Sequence, residues 1–383
     1  MILFDFFCYG FSIFITAIHI TLLTGVLLEK KREKKMLKRK TENIKISVII
    51  PIHNESHRMK GLLRTLLLQN YHAEIIFLDD CSTDESLIML EQFVNDASKL
   101  GILNCKIITL KENPGKYKKQ YALSRGIAEA EGDYFLFTDG DCEVPPNWIQ
   151  IMAQMINDGK TGVVTGPVFK KCEGKGFFFL YQCFDHAIRY NYIIGSIGIG
   201  AASGVYGNNF IVSRKAINNA GGYNSIPASP TEDAALISHI RRKSEYSIRA
   251  ITFLDAAVDT ESEKSWSSLI HQTLRWNNGG IFSPDLWSRF FYNIFILNIS
   301  AGILVIPLLP FFPKLVLLPV AIFFSMILNS LSVYFLFRSK MPAGDISVKF
   351  GYIICLFFTP VYLTLMTVMS YLGIKPKWKN REL

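Results

Sequence analysis

The sequence predicts an α/β fold, in which helices sandwich a mostly parallel sheet, together with one N-terminal and about three C-terminal transmembrane helices. Three observations lead to this prediction. Hydrophobic residues make up 50% of the 383 residues and are concentrated in long stretches at both chain ends. In the middle of the chain, short apolar runs alternate with helical patterns. Acidic residues follow several of these runs, where open α/β sheets bind their ligands.

The N-terminal apolar stretch from Ile2 to Leu28 is long enough to cross a hydrocarbon core of roughly 30 Å. A basic run from Lys30 to Lys45 follows it, with nine Lys or Arg against two Glu. The positive-inside rule places this run in the cytoplasm and the N-terminus outside. The net charge of +9 therefore indicates a juxtamembrane anchor. Nucleic acid is not expected as a partner, because no basic helix or aromatic stacking motif supports it.

The C-terminal region contains three further apolar stretches, at Asn293–Phe312, Leu315–Phe337 and Gly351–Leu372. If all three cross the membrane, the basic tail lies outside, although its charge favours the inside, so its side stays open. The seven cysteines include no C-x-x-C pair, and such an odd, scattered set is typical of reduced thiols in the cytoplasm. We therefore expect a multi-pass protein of the cell (inner) membrane.

The middle of the chain begins with four runs that are apolar on both faces, as in strands of a helix-covered parallel sheet: Ile46–Ile50, Ile75–Leu78, Cys105–Leu110 and Tyr134–Thr138. Helices are predicted after Ser82, which opens a capping box, and from about Lys116 to Glu131. We divide the chain into an N-terminal transmembrane helix, a basic juxtamembrane linker, a cytoplasmic α/β domain, amphipathic interface helices, C-terminal transmembrane helices and a basic tail: 1–28, 29–45, 46–260, 261–292, 293–372 and 373–383.

Carboxylates stand at the ends of three predicted strands. Glu55 follows the first strand, Asp79 and Asp80 end the second, and Asp139 and Asp141 follow the fourth. Because the carboxyl ends of parallel strands meet at one edge of a sheet, these acids are expected to cluster. Clustered acids repel unless a cation shares the site, and Mg²⁺ or Mn²⁺ completes its shell with phosphate oxygens and water. The sequence therefore predicts a divalent cation beside a phosphate.

Lys116 ends an N-P-G-K segment at the same predicted edge. At a helix start it could add positive charge beside a pyrophosphate, which the helix N-terminus also favours. The alternative is a surface lysine beside Lys118 and Lys119, and the sequence leaves both open. The chain has no G-x-G-x-x-G or G-K-[ST] loop, which argues against a dinucleotide oxidoreductase or a P-loop ATPase.

Six motifs follow one another in a fixed order over more than half of the chain. They are SVIIPIHNE (Ser47–Glu55), LDDCSTD (Leu78–Asp84), NPGK with ALSRG (Asn113–Lys116 and Ala122–Gly126), TDGD (Thr138–Asp141), TED (Thr231–Asp233) and QTLRW (Gln272–Trp276). This ordered set resembles glycosyltransferase family 2, specifically its membrane-integrated branch with a GT-A domain. The D-x-D element alone is weak evidence, whereas the order ending in T-E-D and Q-x-x-R-W is specific.

The resemblance implies roles on the donor side. Glu55 and Asp80 would line the nucleoside pocket, Lys116 would lie near the diphosphate, and Asp139 and Asp141 would form the D-x-D pair. Asp139 would contribute to both donor and metal binding, and Asp141 would be the more direct ligand of Mg²⁺ or Mn²⁺. Two positions depart from the family pattern. Gly140 replaces the more usual Ala, which we expect to be harmless, and Ser124 replaces a common Asn.

The resemblance also implies roles on the acceptor side. Asp233 would be the catalytic base, with Glu232 beside it at the acceptor and diphosphate. Gln272, Arg275 and Trp276 would lie on an interfacial helix that closes over donor and acceptor. Trp266 and Trp287, by contrast, are predicted to be membrane-interface anchors.

The chemistry is consistent with these groups. Cleaving the bond between a sugar and a nucleoside diphosphate builds negative charge on the leaving phosphate, which a metal stabilises. A carboxylate can accept the proton of the acceptor hydroxyl, typically for about 10²–10⁴-fold in rate. One base opposite one leaving group predicts inversion at the anomeric carbon. The donor is expected to be a nucleotide sugar, with UDP-sugar preferred.

Three hypotheses for the function stay open at this point. The preferred one is transfer of one sugar to a lipid or lipid-linked acceptor. The second is a processive polysaccharide synthase that extends and exports a growing β-linked glycan, because Q-x-x-R-W is common among such enzymes. The third is a non-catalytic nucleotide-binding membrane scaffold. That hypothesis predicts loss of a key carboxylate, but Asp80, Asp139, Asp141, Glu232 and Asp233 are all present.

Overall fold

The computed structural model describes residues 2–38, 43–100, 104–171, 174, 176–344, 346–378 and 381–382. The chain divides into two compact units. We call Glu29–Lys171 with Ala202–Glu261 the sheet unit, and Met1–Leu28 with Cys172–Ala201 and Ser262–Leu383 the helical unit. Each unit is described by itself.

The described helices are α1 (Ile2–Met36), α2 (Lys60–Leu66), α3 (Ser86–Leu100), α4 (Lys118–Glu129), α5 (Trp148–Ile156), α6 (Phe177–Gly198), α7 (Arg214–Asn219), α8 (Glu232–Lys243), α9 (Trp266–Ile281), α10 (Leu286–Leu304), α11 (Leu317–Phe337) and α12 (Ile346–Tyr371). The described strands are β1 (Ile46–Ile52), β2 (Glu74–Asp79), β3 (Asn104–Thr109), β4 (Tyr134–Phe137), β5 (Cys142–Glu143), β6 (Thr161–Thr165), β7 (Val168–Lys170), β8 (Phe210–Ser213), β9 (Ser247–Ala250), β10 (Val258–Thr260), β11 (Lys377–Trp378) and β12 (Arg381–Glu382).

Within its described residues, the sheet unit contains a seven-stranded sheet in the order β3-β2-β1-β4-β8-β6-β9. β3, β2, β1 and β4 are parallel, whereas β8 runs antiparallel to both β4 and β6. In β1 every residue except Pro51 is buried, because helices cover both faces of this part of the sheet. The predicted α/β fold with a mostly parallel sheet is confirmed.

A small second sheet follows the D-x-D loop. Its strands have the order β5-β10-β7, and β5 begins at Cys142, directly after Asp141. β10 pairs with β5 so that Thr260 lies opposite Cys142, and the Thr260 hydroxyl donates to Asp141 Oδ1 at 3.5 Å. The end of the D-x-D loop is therefore fixed by strand pairing.

α1 continues beyond the predicted apolar span into the basic run and ends at Met36. Two buried glutamates in this extension bind the backbone of the sheet unit. Glu29 accepts the amide of Ala250 at 3.0 Å, and Glu33 accepts the amide and hydroxyl of Thr252 at 2.7 and 2.6 Å. The acids within the basic run are therefore structural hydrogen-bond acceptors.

Among the described residues, four segments are long and apolar enough to cross a membrane, judged by length and composition: Phe4–Met36, Leu286–Leu308, Pro313–Phe337 and Val348–Tyr371. One is N-terminal and three are C-terminal, as the sequence predicts. Pro307 and Pro313 lie in short 3-10 helices between α10 and α11, and Pro360 lies inside α12.

In the helical unit, α1 and α6 cross at glycines. A Cβ atom added at Gly25 would lie 2.0 Å from the backbone oxygen of Gly195, and one added at Gly195 would lie 2.6 Å from the backbone oxygen of Leu22. Backbone atoms form both walls of this contact and cannot yield as a side chain could. Only glycine therefore fits at these two positions.

α6 lies outside the sheet unit. The structure places Cys172–Ala201, which contains α6, in the helical unit, and the domain bounds given in the sequence analysis stay a prediction. The reason is that 15 of its 22 residues are buried, which is more than one covered face of a surface helix would give. One difference from the sequence analysis concerns cysteine: Cys183 on α6 is disulfide-bonded, contrary to the expected reduced thiols, whereas five other described cysteines are free.

Candidate functional site

Three neighbouring parallel strands deliver carboxylates to one edge of the large sheet. β2, β1 and β4 are adjacent, and Asp80, Glu55 and the D-x-D loop follow their carboxyl ends. Asp80 and Glu55 are only 5% and 7% exposed. A Cβ atom built on Gly140, in the D-x-D loop, would lie 3.1 Å from Glu55 Cγ, so the loop packs directly on Glu55. We use the name acidic rim for the following carboxylates: Glu55, Asp80, Asp139, Asp141, Glu232 and Asp233.

The loops after β1 and β2 are held in a left-handed backbone conformation. Asn54 and Cys81 have φ angles of 55° and 57°, which is uncommon for residues other than glycine. The Asn54 side-chain oxygen accepts the amide of Thr83 at 2.8 Å, and the Asn54 amide donates to the Ser82 hydroxyl at 3.2 Å. These crossed hydrogen bonds stabilise the two loops against each other and fix Glu55 and Asp80, the residues next to the strained positions.

Asp84 reinforces the same pair of loops. Its carboxylate accepts the amide of Ser56 at 3.0 Å and the amide of Ser86 at 2.9 Å, while the Ser86 hydroxyl accepts the amide of Glu55 at 2.8 Å. Burial acts to raise the pKa of Asp84, but the hydrogen bonds from Ser86 and Ser56 bring the pKa below its ordinary value.

The N-P-G-K segment reaches the acidic rim through Asn113. The Asn113 amide group donates to Asp80 Oδ1, and the ring of His53 lies with Nδ1 2.7 Å from the backbone oxygen of Asp80. Lys116 precedes α4, which begins at Lys118, and its ammonium group lies 5.4 Å from the ring centroid of Tyr117. The contact that the structure shows between this segment and the rim is therefore made by the side-chain amide of Asn113.

Lys119 is one of two cations that bind rim carboxylates among the described residues, and the sequence analysis did not single it out. Its Nζ lies 2.7 Å from Asp139 Oδ1 and 3.2 Å from Glu232 Oε1, and its side chain is 21% exposed. Burial acts to lower the pKa of Lys119, but Asp139, Glu232 and Asp233 together raise it above its ordinary value. One ammonium group thus joins the D-x-D loop to the T-E-D motif.

The spacing of residues along α4 indicates that Lys119 faces the protein interior. The residue lies three and four positions before Ala122 and Leu123, which are buried on α4 together with Gly126. Residues three and four apart share a helix face, so this lysine points toward the protein interior. Lys118 is on another face and donates to the backbone oxygen of Asn113.

Arg58 joins the other half of the D-x-D motif to the β1 loop, and it was also missed. Its Nη2 lies 2.7 Å from Glu55 Oε2, and its Nη1 lies 3.2 Å from Asp141 Oδ2. Within the described residues, both D-x-D carboxylates therefore carry a basic partner, Lys119 on Asp139 and Arg58 on Asp141.

Glu232 and Asp233 form the first turn of α8, where the helix dipole favours negative charge. Glu232 is 7% exposed. Asp233 is half-buried, and a Cβ atom added at Gly207 would lie 2.9 Å from its Oδ2. A small cavity lies against both acids, and its other walls include Gly207 and Tyr223. Asp233 is thus a partly accessible carboxylate at a helix N-terminus.

The next feature of the rim is its capacity to bind a divalent cation. Among the residues that the structure describes, no group of three or more His, Cys, Asp or Glu could hold a metal. Asp139 and Asp141 supply oxygen ligands from one loop, and Mg²⁺ or Mn²⁺ binds through one or two carboxylates when phosphate oxygens and water supply the remainder. The pair therefore fits such a cation when a diphosphate arrives with it.

The Q-x-x-R-W residues lie on α9 in the helical unit. Gln272 donates to Glu263 Oε1 at 2.9 Å. The ring of Trp276 lies 5.4 Å from the guanidinium carbon of Arg189 and 5.9 Å from the ring of His186, both on α6. Arg275 is half-buried on the same helix. Trp266 is 38% exposed and packs against a group of aromatic rings in this unit.

Comparison with known proteins gives related sequences. The family model described as glycosyl transferase family 2 matches residues 47–221. The glycosyltransferase GlyG of Streptococcus pneumoniae is 31% identical over 36% of this chain and 43% of its own length. The undecaprenyl-phosphate 4-deoxy-4-formamido-L-arabinose transferase of Proteus mirabilis is 34% identical over 30% of this chain and 34% of its own. The chain thus spans less than half the length of these two relatives.

A solved structure supports the fold over nearly the whole chain. The mannosyltransferase PcManGT of Pyrobaculum calidifontis, in complex with GDP-Man and Mn²⁺, superposes with a TM-score of 0.54 at 17% identity, covering 96% of this chain and 100% of that one. The helices and mostly parallel sheet are therefore GT-A-like. The match to the glycosyl transferase family 2 model covers residues 47–221, somewhat less than half of the chain.

Proposed function

We propose that this protein is an inverting, membrane-bound glycosyltransferase that moves a sugar from a nucleotide-sugar donor, with UDP-sugar preferred, to a lipid or lipid-linked acceptor. The observation that carries the proposal is the acidic rim, where Lys119 joins Asp139 of the D-x-D loop to Glu232 of the T-E-D motif. Lys119 and Asp139 lie within the region that matches glycosyl transferase family 2, and Glu232 follows that region, so separate stretches of the chain meet at one site.

Donor binding is assigned to the loops after β1 and β2 and to the D-x-D loop. Glu55 and Asp80 would contact the nucleoside, since hydrogen bonds hold both loops in place before a ligand binds. The contacts with Asp139 and Glu232 make Lys119 the better-supported diphosphate cation. Lys116, which the family resemblance favours, remains a second candidate for that role.

Asp139 and Asp141 are the proposed ligands of Mg²⁺ or Mn²⁺. When bound, the cation would neutralise charge on the diphosphate as the bond to the sugar breaks. The structural neighbour PcManGT, which was solved with GDP-Man and Mn²⁺, supports the type of ligand. The role of this chain's own residues is to orient the diphosphate, because Arg58 and Lys119 already hold the two carboxylates in place.

Asp233 is the proposed general base. It lies at the start of α8, where the helix N-terminus stabilises its charged form, and its Oδ1 accepts the amide of Ala234 at 2.7 Å. A carboxylate held in this way can take the proton of an acceptor hydroxyl while that oxygen attacks the anomeric carbon. A single displacement inverts the configuration at that carbon.

The acceptor is proposed to be a lipid or to be linked to one. Four apolar segments in the described chain could cross a membrane, and the name of the Proteus mirabilis relative places a sugar on undecaprenyl phosphate. The basic run after Leu28 supports a cytoplasmic position for residues 46–260 in a multi-pass cell-membrane protein. Gln272, Arg275 and Trp276 are assigned to acceptor and diphosphate on the family resemblance.

The test is to incubate the purified full-length chain with a panel of nucleotide sugars in native lipid extract, with and without Mn²⁺. Mass spectrometry of the lipid and polymer fractions then identifies the product. We expect a single glycolipid that depends on Mn²⁺ or Mg²⁺ and is lost in Asp139→Asn with Asp141→Asn. A polymer ladder would establish the processive synthase instead. Donor binding without any product would establish the non-catalytic scaffold.

A further inference from the structure

α6 carries a charged pair in surroundings that disfavour charge. Asp185 and His186 are each 4% exposed, and the side chain of Arg189 is 18% exposed. The helix belongs to the unit that contains the apolar candidate spans. Charged groups in such surroundings are costly unless they are paired or serve a ligand, so this cluster requires an explanation that the donor site does not supply.

Only part of the hydrogen-bonding capacity of Arg189 is used within the described chain. Its Nε donates to Asp185 Oδ2 at 2.6 Å, one helical turn away. Its guanidinium carbon lies 5.4 Å from the centroid of the Trp276 ring. Its Nη2 is shielded from solvent and has no hydrogen-bond partner among the residues that the structure describes. A buried donor without an acceptor is costly, and a bound acceptor would recover that cost.

A purely structural ion pair explains the position of Arg189 Nε but not the buried Nη2. Asp185 pairs with Arg189 through Nε, and the guanidinium lies over the Trp276 ring. Neither contact uses Nη2, and the planar guanidinium presents its remaining N–H groups in a fork that matches phosphate oxygens. His186, with its ring 5.9 Å from that of Trp276, adds a titratable group beside the same indole.

We propose that Arg189, oriented by Asp185 and Trp276, binds the phosphate group of an amphiphilic acceptor, a long-chain alkyl or polyprenyl phosphate. This inference rests on the proposed function and specifies its acceptor, whose attacking hydroxyl is then the P–OH group of the phosphate monoester. The phosphate provides the acceptor for Nη2, and the apolar helices of the same unit are suited to the hydrocarbon chain. A lipid is favoured over free phosphate because the cluster lies among aromatic and apolar side chains, including Tyr181, which is fully buried.

The test measures binding of farnesyl phosphate to the purified full-length chain by isothermal titration calorimetry, with farnesol and inorganic phosphate as separate probes. We expect farnesyl phosphate to bind more tightly than either probe. Arg189→Gln should weaken that binding about tenfold or more, since it removes hydrogen bonds to a charged group. Arg338→Gln, an exposed arginine at the end of α11, is the matched control and should change nothing.

Asp185→Asn separates the anion site from a structural pair. The substitution keeps a side-chain oxygen that can accept from Arg189 Nε and orient the guanidinium, but it removes the competing negative charge. If Arg189 serves a phosphate, farnesyl phosphate binding should therefore stay intact or become tighter in Asp185→Asn, while thermal unfolding reports whether each variant is folded. Equal weakening in Asp185→Asn and Arg189→Gln would overturn the proposal, as would wild-type affinity in Arg189→Gln. Inorganic phosphate competing as well as farnesyl phosphate would overturn the assignment to a lipid. No nucleotide sugar is present, so failure here is distinguishable from failure of sugar transfer.

Discussion

The two units hold their charged groups in different ways. In the sheet unit, Lys119 and Arg58 join carboxylates that lie far apart in the sequence, at positions still partly open to solvent. In the helical unit, Asp185 and Arg189 lie one turn apart on a single helix and are largely enclosed. The first arrangement depends on the tertiary fold, whereas the second is already possible in an isolated helix.

The two units also differ in whether a ligand must replace existing contacts or can add new ones. The acidic rim is completed by its own cations, so a ligand must replace contacts that already exist. The α6 cluster keeps one guanidinium nitrogen without an acceptor in the described chain, so a ligand can add a contact. Charge at the rim therefore contributes to the fold as well as to the proposed chemistry. On α6 the charge of Arg189 is paired with Asp185, and only its Nη2 is available to the ligand that we propose.

The largest expected effect tests whether the proposed chemistry belongs to the sheet unit. Asp233→Asn keeps the size of the side chain but removes the proton acceptor, so sugar transfer should fall by about 10²-fold or more. Donor affinity should stay within about twofold, because the carboxylate faces the acceptor in the proposed mechanism. Radiolabelled sugar transfer and equilibrium donor binding measure the two quantities. Asp96→Asn, at a residue 72% exposed, is the control. Surviving turnover would refute the base assignment.

The second effect tests how the helical unit is packed, apart from its charge. Gly25→Ala puts a Cβ atom 2.0 Å from a backbone oxygen, so the helices must separate, at a cost of about 3 kcal/mol. Gly10→Ala is the matched control on the same helix, since nothing lies within 4 Å of its added Cβ. Thermal unfolding in detergent should show a much lower Tm for Gly25→Ala alone. Similar Tm values for both variants would contradict the close crossing of α1 and α6.

A third, smaller effect distinguishes Lys119 from Lys116. Lys119→Gln leaves Asp139 and Glu232 without their shared cation, which should lower the free energy of unfolding by about 1–2 kcal/mol after allowance for partial exposure. It should also raise KM for the donor. Lys116→Gln removes the same charge only three residues away and should affect stability little. Chemical unfolding and donor titration compare the two, and equal effects would show that the rim does not depend on Lys119.

The smallest effect is a pH dependence in the sheet unit. The folded-state pKa of Asp84 is below its ordinary value of about 3.9, so its contribution to stability is complete above roughly pH 4. That contribution is lost as the pH falls through the folded-state pKa. The loss of Tm on acidification from about pH 5 to pH 2 should therefore be smaller in Asp84→Asn than in the wild type. Parallel curves for the two proteins would show that Asp84 is not the responsible group.

The strand pattern could be predicted because it depends on local composition. Runs that are apolar on both faces gave β1 as Ile46–Ile50 and β2 as Ile75–Leu78, against observed strands Ile46–Ile52 and Glu74–Asp79. Placement of the acids at strand ends followed from the same pattern. The antiparallel β8 was not identified, because its four buried residues look the same in either direction.

The cations of the rim could not be predicted in the same way. Lys119 and Arg58 contact Asp139 and Asp141. Helical spacing indicates that Lys119 faces the interior, but no sequence spacing encodes which distant carboxylate it contacts. Lys116 looked more suitable because it ends a motif, whereas α4 begins two residues later and turns Lys119 inward. α6 was missed because three ionisable residues interrupt its apolar pattern.

The single ammonium group of Lys119 couples the D-x-D loop, the proposed donor side, to the T-E-D motif, the proposed acceptor side. Whatever draws Lys119 toward Asp139 weakens its contact with Glu232, next to the proposed base, and the converse change costs the same free energy. Ligand binding at the D-x-D loop and the charge around the T-E-D motif then change together, because both depend on the position of Lys119. An ordered sequence of substrate binding could arise from this one side chain, without a moving domain.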